Sequence, residues 1–284
     1  MPTDPPAPHR IYPAGHPAAV LACALAPGAL AGWTRPLAAE QAVLLPAVVR
    51  DLPTVPRLRR GVGQGAIRAV GATLVLDVGS PDPAESDRLR ALAAAAGAGF
   101  LTLDGRLAAL PDSVRALGRA LGVADRAESL AEAAAALLAA TAGALNGCRI
   151  HYGCGPDGLE TPAEGALARE LFAHLGAALP PAAGPGLLVP LGPADLAAFA
   201  PDWIVTLDPA APAALRANPA LADLPALRQD HVAAAPALPF PWLDRPPGIN
   251  RLAGLAWLHH LIAGDPATAR HEGEGWVRRL FGVD

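Results

Sequence analysis

Short apolar runs alternate along the chain with stretches whose apolar residues recur at helical spacing. Arg10–Pro13, Ala29–Trp33, Thr73–Val78 and Gly99–Leu103 read as strands, with helices at Pro17–Leu25, Pro36–Leu45 and Pro83–Ala96. A second series has strands at Arg149–Tyr152, Trp203–Leu207 and His231–Ala234. Its helices fall at Glu164–Leu175, Ala194–Phe199, Pro212–Asn218 and Ile249–Ile262. Parallel strands need a crossover long enough to hold a helix, so this alternation predicts βαβ units. Between the series lies Ala124–Leu145, free of Pro and dense in Ala, Leu and Glu. It predicts one continuous helix of ~33 Å, a stiff connector that Asn146-Gly147 closes.

The two series echo each other. H-R-I-Y-P-A-G-H-P opens the first and C-R-I-H-Y-G-C-G-P the second; G-A-T-L-V-L-D-V-G is answered by P-D-W-I-V-T-L-D-P. In each pair a strand feeds a Gly/Pro turn that carries polar groups. An internal repeat of this kind predicts two similar lobes whose strand-end loops face a shared cleft. The expected fold is therefore α/β, two Rossmann-like lobes joined by one long connecting helix with the ligand cleft between them. The expected boundaries are a disordered segment 1–9, a first lobe 10–122, a linking helix 123–146 and a second lobe 147–284 ending in a helix.

Composition narrows the function. The chain has 284 residues, 52% hydrophobic, with a net charge of −4, and all 22 basic residues are Arg. No basic cluster marks a nucleic-acid surface; Arg57, Arg59 and Arg60 read as one solvated loop. Three cysteines, Cys23, Cys148 and Cys154, are too few for a disulfide framework, although a Cys148–Cys154 bridge is open to the spacing. Pro27-Gly28 interrupts the longest apolar stretch, Ala18–Trp33, so it reads as the first helix and not as a membrane span or a signal-peptide core.

Candidate chemistry concentrates in C-R-I-H-Y-G-C-G-P-D-G-L-E-T, Cys148–Thr161. Gly153, Gly155 and Gly158 spell GxGxxG, but a dinucleotide site needs the third Gly to open a helix, and an acid some 20 residues on. Here Thr161-Pro162 follow, then A-A-L-P-P-A-A-G-P-G. Cys148, His151 and Cys154 are soft metal ligands by type, yet strand alternation turns Cys148 and His151 to opposite faces, and no second Cys pair completes a tetrahedron. The chain best supports a glycine-rich cleft loop. There Gly153, Gly155 and Gly158 let backbone approach a ligand, Tyr152, Asp157 and Glu160 supply side chains, and Cys154 is the thiol that would face the ligand. Its counterpart is Tyr12-Pro13-Ala14-Gly15-His16-Pro17. Arg35, Asp77 and Asp208 also follow predicted strands. P-F-P-W-L-D-R-P-P-G-I-N predicts a rigid irregular loop bearing Trp242, Asp244 and Arg245, either a binding wall or core filler with a local ion pair. No G-x-S-x-G, H-E-x-x-H or P-loop occurs, and nothing in the chain asks for catalysis.

With these features in place, the chain resembles the ABC-importer solute-binding proteins that take ferric siderophores, haem, cobalamin and some metals or oxyanions. R-I-Y-P-A-G-H-P-A-A-V-L-A-C-A-L-A-P-G-A-L-A-G-W-T is similar to the family's first strand, helix and second strand. L-A-A-F-A-P-D-W-I-V-T-L-D-P is similar to its second-lobe pattern. H-Y-G-C-G-P-D-G-L-E-T and L-P-F-P-W-L-D-R-P-P-G-I-N-R-L-A-G-L-A-W-L look like a subgroup described as carrying iron complexes or molybdate. The resemblance runs from about Arg10 to Ile262. Where relatives have Arg, this chain has Cys154. Where they have an acid that meets the permease, Gln64-Gly65-Ala66-Ile67 has none, and Glu40 is the substitute on the first lobe; Asp195 matches the second-lobe acid.

The resemblance implies a monomeric, exported or periplasmic protein whose leader is absent from this chain and which is not an enzyme. It would capture a small metal-containing ligand, a ferric siderophore or related chelate, and deliver it to an inner-membrane permease. Molybdate or tungstate, haem and cobalamin are the alternatives on the same scaffold. Tyr12, His16 and Arg35 would hold the ligand from one side, and Tyr152, Gly153, Cys154, Gly155, Asp157, Trp242, Asp244 and Arg245 from the other. No cofactor and no nucleic-acid partner are expected. An α/β enzyme using Gly153–Gly158 for a phosphate-bearing cofactor is the reading from a different class.

Overall fold

Residues 9–58 and 61–282 are described by the structure, a computed structural model. Met1–Pro8, most of the expected disordered segment, lie outside the described residues, as do Arg59 and Arg60. The chain divides into two compact units. One comprises the chain to Ala135 together with the stretch from Val277, the other Ala136–Trp276.

In the first unit β1 (Ile11–Pro13) lies parallel to β2 (Leu74–Gly79), and β2 to β3 (Gly99–Asp104). Helix α1 (His16–Leu25) crosses back from β1, with every residue but Pro17 buried. A helix apolar all round must sit in a core, which is why its sequence could be taken for a membrane or leader segment. Short helical turns α2 (Ala39–Ala42), α3 (Ala47–Arg50) and α4 (Gly65–Ala69) lead to β2. Helix α5 (Pro83–Ala96) joins β2 to β3; the Asp82 carboxylate accepts from Ala84 N at 3.0 Å and Glu85 N at 3.3 Å, and left-handed Gly97 ends it. Then come α6 (Leu110–Leu121) and the long α7 (Ala124–Thr141).

The second unit repeats the plan. β4 (Ile150–Gly153), β7 (Trp203–Thr206) and β8 (Val232–Ala234) form a parallel sheet. Between them an antiparallel pair intervenes, β5 (Glu160–Pro162) with β6 (Leu188–Pro190), flanking α8 (Glu170–His174). Helices α9 (Pro193–Phe199), α10 (Ala211–Ala217) and α11 (Pro225–Arg228) complete the crossovers, followed by α12 (Arg251–Ile262) and α13 (Pro266–Phe281).

Backbone bonds set the equivalence between the units. Thr73 N and Leu74 N donate to Arg10 O at 2.8 and 3.2 Å; Asp202 N and Trp203 N donate to Arg149 O at the same distances. Arg10 N donates to Thr73 Oγ1 at 3.0 Å and Arg149 N to Asp202 Oδ2 at 2.8 Å. Single bridges extend both sheets on the same side, Ile11 with Leu30 and Arg149 with Ala178. By this register Tyr12 matches His151, Ala14 matches Gly153 and Asp77 matches Thr206.

Several expected elements differ. The strand at Ala29–Trp33 shrinks to isolated bridges, Ile11 with Leu30 and Trp33 with Thr54, because Pro27–Ala29 forms a 3-10 turn. At Gly32 the chain crosses Pro53–Val55 so closely that a Cβ would stand 2.7 Å from Pro53 O. The helix expected at Pro36–Leu45 is only α2, where the Gln41 side chain accepts from Ala38 N at 3.0 Å. The helix expected at Glu164–Leu175 is a 3-10 turn, Leu167–Arg169, running into α8 after left-handed Gly165. Helix α7 stops at Thr141, where the Thr141 hydroxyl bonds Leu137 O at 2.7 Å and Gly143 turns left-handed. The boundary between the units falls inside α7, and the end of α13 belongs to the first unit, not to the expected 147–284 lobe. Arg126 of α7 fixes that end by donating to Ala24 O at 2.7 Å and Leu280 O at 3.3 Å. Among the described residues, no helix is long and apolar enough to cross a membrane.

Candidate functional site

β1 in the first unit delivers the chain straight into α1. Gly15 is the N-cap in extended conformation, and His16 opens the helix. His16 is buried; its Nδ1 lies 3.2 Å from Thr34 Oγ1 and its ring stands edge-on to Trp33 with centroids 6.4 Å apart. Burial, then the charges of Arg35 and Arg57, pushes the imidazole down to about 3, so it is neutral at physiological pH. Arg35, on the loop beyond Trp33, is held below its ordinary value by burial and by Arg57. Two guanidiniums close to a helix N-terminus and a neutral imidazole make this end of the unit receptive to an anion.

Tyr12 lies beneath this end, fully buried in the cluster with Val75 and Ile67. Its hydroxyl donates to Pro56 O at 2.6 Å, and burial pushes it up to about 12. Expected as a ligand contact, Tyr12 is placed as support for the loop above it. Beside Gly15 and Pro17 opens a cavity of about 370 Å³, lined also by Arg57, Leu58, Asp77 and Glu85. Arg88 holds Glu85 from two nitrogens at 2.6 and 2.8 Å and donates to Leu58 O at 2.5 Å. Burial, then Glu85, raises the Asp77 carboxyl above its ordinary value, although it faces Thr102 and the Val78 amide.

The second unit's first strand ends differently. Cys154 N donates to Glu160 O at 2.6 Å and Glu160 N returns to Cys154 O at 3.2 Å, folding the chain into a hairpin. Gly155 and Gly158 have φ of +79° and +71°. A Cβ on Gly153 would stand 2.6 Å from Gly158 O. His151, buried, has Nε2 2.7 Å from that same oxygen, and burial lowers its pKa. The glycines therefore serve a tight hairpin, and the GxGxxG runs into strand β5 and not into a helix.

Around this hairpin, Cys154 is fully buried and its thiol is pushed up to about 12, first by burial and despite Arg245. Tyr152, also fully buried, stacks at 5.0 Å on Phe172; beside the thiol, its hydroxyl finds no partner in hydrogen-bonding geometry. Asp157 is exposed and accepts from Leu159 N at 3.1 Å. Asp244 is half-buried and raised by that burial, while Arg245 is exposed with φ +58°. Trp242, expected as a wall of the site, is core filler. It is 3% exposed, donates to Leu238 O at 2.9 Å, and sits so close to Gly273 that a Cβ there would be 2.0 Å from its ring. Arg251, fully buried, locks the loop by donating to Gly248 O at 3.3 Å, Leu167 O at 3.0 Å and Glu170 at 3.2 Å. All three cysteines are free, so the Cys148–Cys154 bridge that the spacing left open is not made; burial pushes Cys148 up to about 11. Glu40 is exposed on α2. Asp195, exposed on α9, accepts from Gly192 N at 2.8 Å.

No protein-family profile matches the chain, and no curated protein does. Solved structures do. An ABC transporter solute binding protein from Sulfurospirillum deleyianum is 20% identical with a TM-score of 0.86, over 99% of this chain and 92% of that one. The molybdate periplasmic binding protein MolA of Haemophilus influenzae is 17% identical, TM-score 0.72, over 99% and 95%. The vitamin B12 binding protein BtuF of Vibrio cholerae is 19% identical, TM-score 0.65, over 95% and 98%. The fold is that of the periplasmic solute-binding proteins.

On the first unit of this binding-protein fold, the expected set of Tyr12, His16 and Arg35 lacks two residues that the structure brings in. Arg57 was read only as part of a solvated loop, and Asp77 only as a strand-end acid. The signal for Asp77 lay in the repeat: the matching position holds Thr206, whose hydroxyl is satisfied locally by Asp208 O at 3.0 Å.

Proposed function

We propose that this protein is the substrate-binding protein of an ABC importer, capturing an anionic, metal-containing ligand outside the cytoplasm and delivering it to a membrane permease. One observation carries the ligand's charge: Arg35, Arg57 and the first turn of α1 meet at a His16 that stays neutral. A ferric chelate presenting carboxylate, catecholate or phenolate oxygens suits two guanidiniums and free helix N–H groups, because charge-assisted bonds to such oxygens are the strong ones. In the second unit, Asp157, Asp244 and Arg245 carry the polar groups around the hairpin. An enzyme binding a phosphate-bearing cofactor at Gly153–Gly158 has no support from the hairpin, whose glycines contact each other and Leu215. Delivery would engage exposed acids such as Glu40 and Asp195.

The reading is tested by titrating protein stripped of metal with ferric catecholate and hydroxamate chelates, haemin, cobalamin and molybdate, following tryptophan fluorescence. Saturable binding of an anionic member, weakened roughly 10- to 100-fold by Arg57→Ala, is the expected result. Tight NADH or ATP binding with no response to any of these would sink it.

A further inference from the structure

The cavity beside Gly15 holds two opposite charges that do not satisfy each other. Arg57 and Asp77 both line it, yet no ion pair joins them among the described residues. Glu85, the other acid in the lining, is already held by Arg88 at 2.6 Å. Asp77 is the other carboxyl in the lining, half-buried on β2, where it also meets Thr102 and the Val78 amide. The repeat sharpens its oddity. The same register position in the second unit is Thr206, fully buried and bonded within its own turn, so the sheet itself does not ask for an acid there. The cation acting on this half-buried carboxyl is Arg88, which already holds Glu85 at 2.6 Å, so a second cation entering the cavity would find a carboxyl only partly compensated.

From this geometry we infer that the cavity is a side pocket of the binding site that takes the ammonium-bearing arm of an organic chelate, with Asp77 as its counter-ion and Arg57 on the chelate's anionic oxygens. The inference rests on the importer reading and narrows its cargo. At about 370 Å³ the space far exceeds what a bare four-oxygen oxyanion needs, and a small oxyanion offers nothing to a carboxylate. Arg57 reaches toward Gly15, next to His16 and Arg35, so positive groups gather at the helix N-terminus, while Asp77, Val78 and Glu85 also line the cavity. A bipolar cavity selects a bipolar ligand, since each charge of the site goes unpaired with any partner that lacks its complement.

The test compares two ferric catecholate chelates of one shape. One is the complex of 2,3-dihydroxybenzoyl-lysine, whose side chain ends in an ammonium; the other is that of 2,3-dihydroxybenzoyl-norleucine, which lacks it. Molybdate is the compact control. Wild-type protein is expected to bind the lysine chelate at least ~10-fold more tightly than the norleucine chelate, and Asp77→Asn to reduce the gap to about twofold or less. The wild-type comparison needs no variant, so a folding defect in Asp77→Asn cannot hide the answer. Equal affinities in the wild type, or a preference that survives Asp77→Asn, overturn the side pocket and leave the importer reading standing. Tight molybdate binding with neither chelate bound also overturns it. If none of the three binds, the importer reading loses its anion site, and the side pocket falls with it.

Discussion

The two sheets of this protein share a plan and part at one residue. Ala14, one step past β1, and Gly153, the last residue of β4, occupy the same place in the register. From Ala14 the chain goes on into α1, a ten-residue helix whose N-terminus gathers Arg35 and Arg57. From Gly153 it turns into a hairpin that returns to Cys154, and no helical turn follows before Leu167. One half thus offers cations and helix N–H groups; the other offers a buried thiol, an orphan phenol and acids. A duplicated scaffold can be held constant in its hydrogen-bonded frame while its strand ends diverge chemically.

The largest expected effect is on acid stability, and it resides in the first unit. His16 has an imidazole pKa near 3 when folded against 6.5 in a free chain. The folded state therefore refuses a proton that the unfolded state accepts. Its contribution is complete above pH 6.5 and is lost as pH falls from there toward 3, up to roughly 4 kcal/mol in all. Urea titrations at successive pH values should show His16→Gln with a distinctly shallower loss than wild type across that window. The position one past Cys154 is Gly155, with nothing to titrate, so the same slope in both proteins would remove the asymmetry.

Next comes the divergent residue itself. Gly153→Ala should cost about 3 kcal/mol, since its Cβ would meet Gly158 O at 2.6 Å and the obstruction is backbone that cannot rotate away. Ala14→Gly, at the matching place, should cost only about 1 kcal/mol through backbone freedom. Equal costs, measured as shifts in urea midpoint at unchanged m, would mean that the hairpin is no tighter than the helix start.

Much of the frame was legible because it depends on local pattern. β2, α5, β3 and β7 were placed within a residue or two, since apolar runs bounded by Pro and Gly leave few alternatives. Ala29–Trp33 failed because a 3-10 turn takes up Pro27–Ala29 and what remains pairs only through single bridges, one of them to Thr54, a partner twenty residues away that no window shows. Pro36–Leu45 failed because Ala fills helices and loops alike, so propensity had little to discriminate. At the candidate site, residue type misjudged depth. Tyr12, Tyr152, Cys154 and Trp242 are all fully or almost fully buried. Apolar and aromatic residues at strand ends are consumed by the core, whereas Arg57 and Asp77 gain meaning only from the cavity they share.

The smallest effect separates two buried phenols. Tyr12 and Tyr152 both lie fully buried in the first strand of their unit, but Tyr12 donates to Pro56 O at 2.6 Å while the Tyr152 hydroxyl has only the Cys154 thiol beside it and no partner in hydrogen-bonding geometry. Removing the Tyr12 hydroxyl leaves a buried carbonyl short of a donor, so Tyr12→Phe should cost about 1–2 kcal/mol. Removing the Tyr152 hydroxyl deletes an unsatisfied group, so Tyr152→Phe should be neutral or slightly stabilising in ligand-free protein. The contrast also bears on function. The Tyr152 hydroxyl lies beside the Cys154 thiol at the start of the hairpin. If Tyr152→Phe leaves the melting temperature unchanged but weakens binding of a ferric chelate, the orphan hydroxyl belongs to the bound state. If it destabilises the empty protein as much as Tyr12→Phe does, the two tyrosines are equivalent core residues and the chemical divergence begins only at Cys154.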